Sequence, residues 1–272
     1  MRYGLMALLA GATLMAPAAA AAQNLTQRVQ AAPADLPVRF TFAARAGVCG
    51  DGENIRVRRA FDEGMTISER GRQYSVNTGS STRSGWLSEC TEGPVEMELS
   101  RAGGRITEAS ARVGGDARTG GIDLGSVEPA AAVAFLLSPA VLDAADRRAA
   151  DRMVFAATLA DAESWPGLLR VARLQEAASS TRKSAVFWLA QAAGDRATAG
   201  LESIVGDDSD EIEVRKQAVF ALSQIGSDST IDVLIEIARS NPEPELRRNA
   251  MFWLGQSGSP RAIAFFEEIL RG

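Results

Sequence analysis

The chain has 272 residues, 46% hydrophobic and 23% charged, a composition that fits one large globular domain or two ordinary ones. A formal net charge of −5 and the lack of any Lys/Arg-rich block argue against nucleic-acid binding, which needs a basic face against the phosphates. There is no histidine, so histidine-activated nucleophiles, histidine zinc sites and histidine general bases are all excluded.

Residues 1–22 read as a signal peptide. Arg2 is followed by Leu5, Met6, Leu8, Leu9, Leu14 and Met15, then Pro17 and an alanine run. That is a charged start, a short apolar stretch and a small-residue cleavage region. Alanine and glycine dilute the apolar run too far for a good membrane-spanning helix. Cleavage near Ala20–Ala22 would leave a mature chain exported to the periplasm or secreted, with no stable membrane insertion.

Residues 23–126 read as a β-rich domain. Val38, Phe40 and Phe42 alternate with Arg39 and Thr41, the pattern of a half-buried strand. Further strands are expected at 55–58, 73–77, 86–89, 95–100, 105–112 and 121–124, separated by Gly-, Ser- and Asn-rich turns. The best hairpin joins 95–100 to 105–112. Six or seven short antiparallel strands would form a small sheet or barrel-like sandwich. The only cysteines, Cys49 and Cys90, fall here, and in an exported chain an even count points to one disulfide rather than two buried thiols. The loop from Cys49 to Asn54 gathers oxygen ligands. It lacks the acidic spacing and distal glutamate of a calcium loop, and a turn beside a disulfide explains it equally well. Trp86 fits a core position better than a ligand platform.

Residues 127–272 change character. Ser126, Pro129 and the apolar run to Leu137 mark a helix start, Pro139 ends that helix, and 141–159 carries a longer helical pattern. A motif then recurs: RKSAVFWLAQ from Arg182, RKQAVFALSQIG from Arg215 and RRNAMFWLGQSG from Arg247, 33 and 32 residues apart. Phe155 sits 32 residues before Phe187 in a weaker copy. Second helices align through Leu168, Leu201, Leu234 and Phe266, and through Val171, Ile204, Ile237 and Ile269. Such a period marks stacked helical pairs that share a core, because no pair can bury its apolar face alone. Gly194, Gly226 and Gly258 stand where left-handed helix ends are wanted.

Glu213-Val214-Arg215 with Ala218 and Leu222, and Glu245-Leu246-Arg247 with Ala250 and Leu254, resemble the HEAT-repeat family in its short bacterial form, similar to phycobilisome-lyase HEAT-like repeats. The resemblance covers about 147–272. It implies an α-solenoid of HEAT-like helical hairpins that binds proteins, and hence an α+β two-domain chain. Iron-dependent hydroxylases of the family need histidine, which this chain lacks, and no catalytic residue, metal or cofactor is carried over.

Two sets of repeated side chains are candidates for partner binding. Arg182, Arg215 and Arg247 form one rung per repeat; they read as a ladder paired with acids such as Glu213 and Glu245, or as donors for an acidic partner. Phe187, Phe220 and Phe252 precede Gln191, Gln224 and Gln256 by four residues and so share a helix face with them. With Trp188 and Trp253, they read as inter-repeat packing or as an aromatic-polar stripe for recognition. The expected role is a non-enzymatic scaffold or adaptor for an unidentified protein partner. The alternatives are a ligand- or glycan-binding module on the β-rich domain and, less favoured, a carboxylate-based envelope enzyme.

Overall fold

In the computed structural model, residues 16–58, 64–68, 74–76, 90–116 and 118–271 are described. The strand expected at 86–89, with Trp86, lies outside them, as do residues 1–15. Contacts group the chain into two units, Met1–Ala144 with Leu159–Glu163, and Ala145–Thr158 with Ser164–Gly272.

The first unit carries eight strands among the described residues. They are β1 (Val38–Phe42), β2 (Val48–Gly50), β3 (Asn54–Arg58), β4 (Gly64–Ser68), β5 (Tyr74–Val76), β6 (Val95–Ala102), β7 (Arg105–Val113) and β8 (Ile122–Ser126). They form two four-stranded sheets, ordered β7-β6-β1-β8 and β2-β3-β4-β5. The alternation in β1 has the expected consequence: Val38, Phe40 and Phe42 are fully buried, beside Val95, Met97 and Leu99 of the antiparallel partner β6. The β6–β7 hairpin turns on Gly103-Gly104, both at positive φ, with Ala102 opposite Arg105.

The expectation of a purely antiparallel sheet is corrected at β8, which pairs parallel to β1, Val38 against Ile122. Alternation looks the same in either direction, so only the path of the chain decides it.

Among the described residues three helices complete this unit: α1 (Ala16–Ala31), α2 (Pro129–Leu136) and α3 (Pro139–Asp143). Phe135 of α2 meets Phe40 edge-on at 5.8 Å. Leu25 and Val29 of α1 are buried. Arg101 donates to the carbonyls of Val29 at 2.5 Å, Ala32 at 3.1 Å and Pro33 at 2.7 Å, placing a cation at the negative end of α1. The region expected to be cleaved lies within the first turns of α1.

The sequence boundary at 126 therefore differs from the contact boundary after Ala144. The apolar α2 packs on β1, and the end of α3 is tied to β7 by the Ile106 amide on the Ala144 carbonyl at 2.9 Å. The helix expected to be capped by Ser126 has Glu128 at its N-cap instead, because Ser126 still belongs to β8.

The second unit is a helical repeat region. First helices α4 (Arg147–Ala157), α6 (Ser179–Ala193), α8 (Ile212–Ile225) and α10 (Pro244–Ser257) alternate with second helices α5 (Trp165–Ala172), α7 (Thr198–Val205), α9 (Asp228–Ser240) and α11 (Pro260–Arg271). The long helical pattern at 141–159 is broken: α3 stops at Asp143 and α4 restarts after Asp146.

Gly226 and Gly258 end α8 and α10 in the left-handed conformation, at φ 68° and 62°. Gly194 has positive φ with ψ −132°, so α6 passes into a 3₁₀ turn, Gly194–Ala197, rather than a left-handed cap.

Leu168, Leu201 and Leu234 are fully buried at equivalent places in α5, α7 and α9. In α11 the buried aromatic is Phe265, not the expected Phe266, and Ile269 is exposed where Val171, Ile204 and Ile237 are buried. The exposed Ile269 marks a face of α11 that no described helix covers.

Candidate interaction surface of the helical repeats

In α6 and α8 the motif arginine lies in the first turns and faces back toward the preceding second helix. Arg182 is 1% exposed. Its Nε donates to the Ala172 carbonyl at the end of α5 at 3.1 Å, and its Nη2 meets the Asp210 carboxylate. Glu211 lies 3.8 Å from its Nη1. Arg215 repeats the arrangement, with Nε on the Val205 carbonyl at the end of α7 at 2.9 Å and Nη2 on Asp208 at 2.7 Å. A guanidinium against the last carbonyls of a helix satisfies groups that helix geometry leaves orphaned, and it opposes the negative end of the dipole.

These partners differ from the expected ones. Glu213 and Glu245 pair instead with Lys216, at 3.0 and 3.2 Å. The hydrogen bonds from Lys216, helped by its charge and that of Lys183, hold the Glu213 carboxyl below its usual value. Arg182 and Arg215 are both buried, and their guanidinium groups are engaged inside the repeats. Arg247 is half-buried and donates through Nη1 to the carbonyls of Asn241 at 2.7 Å and Pro242 at 3.1 Å.

The aromatic residues form a continuous ladder across the first helices. Phe155 of α4 packs on Trp188 of α6 at 4.9 Å, Phe187 stacks on Phe220 of α8 at 6.5 Å, and Phe220 meets Trp253 of α10 at 4.8 Å. Phe187 also touches Trp188 edge-on, as Phe252 touches Trp253, both at 4.9 Å. Trp188 is buried, Phe187, Phe220 and Trp253 are half-buried, and Phe252 is 57% exposed. The ladder therefore packs one repeat on the next and emerges at α10.

The glutamines follow the same gradient. Gln191 is half-buried, whereas Gln224 and Gln256 are exposed. A row with an aromatic side and a polar side thus reaches solvent over α8 and α10.

One feature was not expected from the sequence. A cleft of about 630 Å³ lies among α9, α10 and α11, lined by Arg239, Arg247, Arg248, Met251, Phe265 and Ile269. Arg239 lies over the Phe265 ring at 5.2 Å and pairs with Glu268 at 2.5 Å. The only sequence sign of it was a second arginine, Arg248, where the other two motif copies have Lys183 and Lys216.

Outside the repeats, Cys49 and Cys90 are joined in a disulfide with their Cα atoms 5.4 Å apart. In the neighbouring loop, burial pushes the Asp51 carboxyl up. Hydrogen bonds from the Asn54 side chain and the Asn54 and Glu53 amides, with the charge of Arg56, outweigh that and hold it below its usual value. These bonds fold the loop on itself and account for its oxygen-rich sequence. Among the described residues there is no group of three acidic or cysteine side chains able to hold a metal ion, and no helix is long and apolar enough to cross a membrane.

Comparison with known proteins gives one family. Residues 166–250 and 207–272 each match the family model of HEAT repeats. No curated protein matches the chain.

Proposed function

With residues 166–272 belonging to the HEAT-repeat family, we propose that this chain is an exported, non-enzymatic scaffold that binds a partner protein through the surface of an α-solenoid. HEAT repeats in general serve as protein-interaction scaffolds, and their stacked helices offer an extended surface. The observation that carries the reading is the row ending at Phe252, where an aromatic ladder and the glutamines beside it come to solvent. Aromatic side chains concentrate in interface hot spots.

Export is supported by the charged, apolar and alanine-rich order of residues 1–22 and by the disulfide, a bond that persists in oxidising compartments. The lack of histidine in the sequence, which removes the usual nucleophile activators and general bases, supports a non-enzymatic role.

The test is a crosslinked pull-down from the source's own envelope extract, with the full chain as bait beside a Phe252→Ala, Gln256→Ala variant. Both positions are exposed, so the variant should keep the wild-type circular dichroism and melting temperature. The expected result is one discrete protein captured by the wild type and lost from the folded variant. Equal capture by both would overturn the assignment of this face. Fractionation and amino-terminal sequencing test export separately, with a mature start expected near Gln23.

A further inference from the structure

The last arginine rung lacks what the inner two have. Arg182 and Arg215 each hold a helix-end carbonyl with one part of the guanidinium and a carboxylate with another, Asp210 and Asp208 respectively. Both acids come from the loop Gly206-Asp207-Asp208-Ser209-Asp210, which precedes Arg215 and follows the helical pair that carries Arg182. The corresponding stretch before Arg247 reads Ser240-Asn241-Pro242-Glu243-Pro244. There Arg247 keeps the carbonyl half of the pattern, but no described carboxylate takes the other half. Glu243, the one acid in the stretch, instead accepts from the Glu245 amide at 3.2 Å as the cap of α10.

Arg248 is unmatched in the same way. It stands where Lys216 stands one repeat earlier, and Lys216 is held by Glu213 and by Glu245 of the following repeat. No described residue does this for Arg248. Arg239, the third cation of the cleft, is matched by Glu268. Two guanidinium groups with no described carboxylate partner therefore line a cleft whose other walls include Met251, Phe265 and Ile269.

We propose that this cleft binds an acidic, apolar peptide segment of the partner protein. A carboxylate of the segment takes the place at Arg247 and Arg248 that Asp208 and Asp210 take on the inner rungs. A neighbouring aliphatic or aromatic side chain lies on Met251, Phe265 and Ile269. Carboxylate is the matched chemistry because guanidinium presents parallel N–H donors to its two oxygens. A chain-like occupant is favoured over a compact molecule because the apolar surface runs on outside the cleft. Ile269 is 49% exposed, and Ile263 and Leu270, seven residues apart on one face of α11, are also exposed. The proposal rests on the reading of the repeats as an interaction surface and names the chemistry of what they bind.

The experiment uses the purified full chain and a pool of fluorescein-labelled heptapeptides, each with a central Glu or Asp flanked by Leu, Ile or Phe. A matched pool carries Gln or Asn instead. Anisotropy titrations should show acidic members binding and their amide counterparts at least about tenfold weaker, an effect that added salt diminishes.

Arg248→Gln should cost about tenfold in the affinity of the acidic peptides, with Arg248→Lys recovering part of it. Arg248 has no described partner, so the melting temperature should not move. Equal binding of both pools, indifference to Arg248→Gln, or no binding by any acidic member would overturn the proposal. If the peptides fail while the full chain still captures its envelope partner, only the cleft is wrong. If that capture fails too, the interaction reading falls with it.

Discussion

The two units hold together by contacts of different reach. In the first, β1 lies between β6 and β8, strands that begin more than fifty and more than eighty residues later, and Cys49 is bonded to a residue 41 positions away. In the second, the side-chain bonds between repeats span about one period, from 28 to 34 residues. Thr181 reaches Asp151 over 30 residues, Arg182 reaches Asp210 over 28, Arg239 reaches Glu268 over 29 and Arg261 reaches Asp232 over 29. A sheet with a strand inserted between distant partners forms as a whole. A row of helical pairs is close to one-dimensional, and damage to one rung stays near it.

The largest effect should come from the covalent link. Replacing Cys49 and Cys90 with serine removes a cross-link over 41 residues, which should cost about 4 kcal/mol on the chain-entropy account. Calorimetry should show the transition of the sheet unit falling while that of the helical unit stays in place. Equal movement of both would mean that the units do not melt separately, and the comparison would fail.

Arg182→Ala comes next, at about 3 kcal/mol in the helical unit, because it strands the buried Asp210 carboxylate. The Asp210 side chain is only 3% exposed, yet it also accepts from the Glu211 amide at 2.6 Å, which keeps the cost at the lower end for a broken buried pair. Arg215→Ala should cost less, about 1 kcal/mol, since Asp208 is 73% exposed and water takes over its charge. Denaturant titrations of the two variants check the order, and the reverse order would show that burial of the acid does not set the cost.

The smallest effect concerns Asp151. Burial raises its carboxyl above the ordinary value, and the Thr181 hydroxyl and the charge of Arg147 only partly offset this. A raised acid costs stability once the pH exceeds its unfolded value, and the cost vanishes below it. Asp151→Asn, which keeps an acceptor for the Thr181 hydroxyl, should therefore raise the melting temperature slightly at neutral pH. The gain should fade as the pH falls through the carboxylate range. A gain that persists in acid would mean that charge is not its cause.

Local signals carried much of the architecture. The period of 32–33 residues located the helical pairs because each pair repeats the same burial problem. The alternation at Val38, Phe40 and Phe42 marked β1, and the paired glycines 103 and 104 marked the hairpin. All of these depend on neighbours within a few residues or on a motif written several times.

Other outcomes depended on partners that no local pattern names. The direction of β8, the placement of α2 on β1 and the tie of α3 to β7 were decided by where the chain returns, since an apolar helix or strand is equally apolar on any core. The arginines show the limit most clearly. Arg182, Arg215 and Arg247 occupy equal places in the motif, yet two are buried against loop carboxylates and one lines an open cleft. The difference lies in the inter-repeat loops: the loop 206–210 gives Asp208 to Arg215 and Asp210 to Arg182, whereas the loop before Arg247 has only the proline-flanked Glu243, which caps α10. Three copies of the motif along the chain already require three such rungs. Only the packed structure decided which guanidinium groups found a charge, because that depends on distances across helices rather than on spacing along the chain.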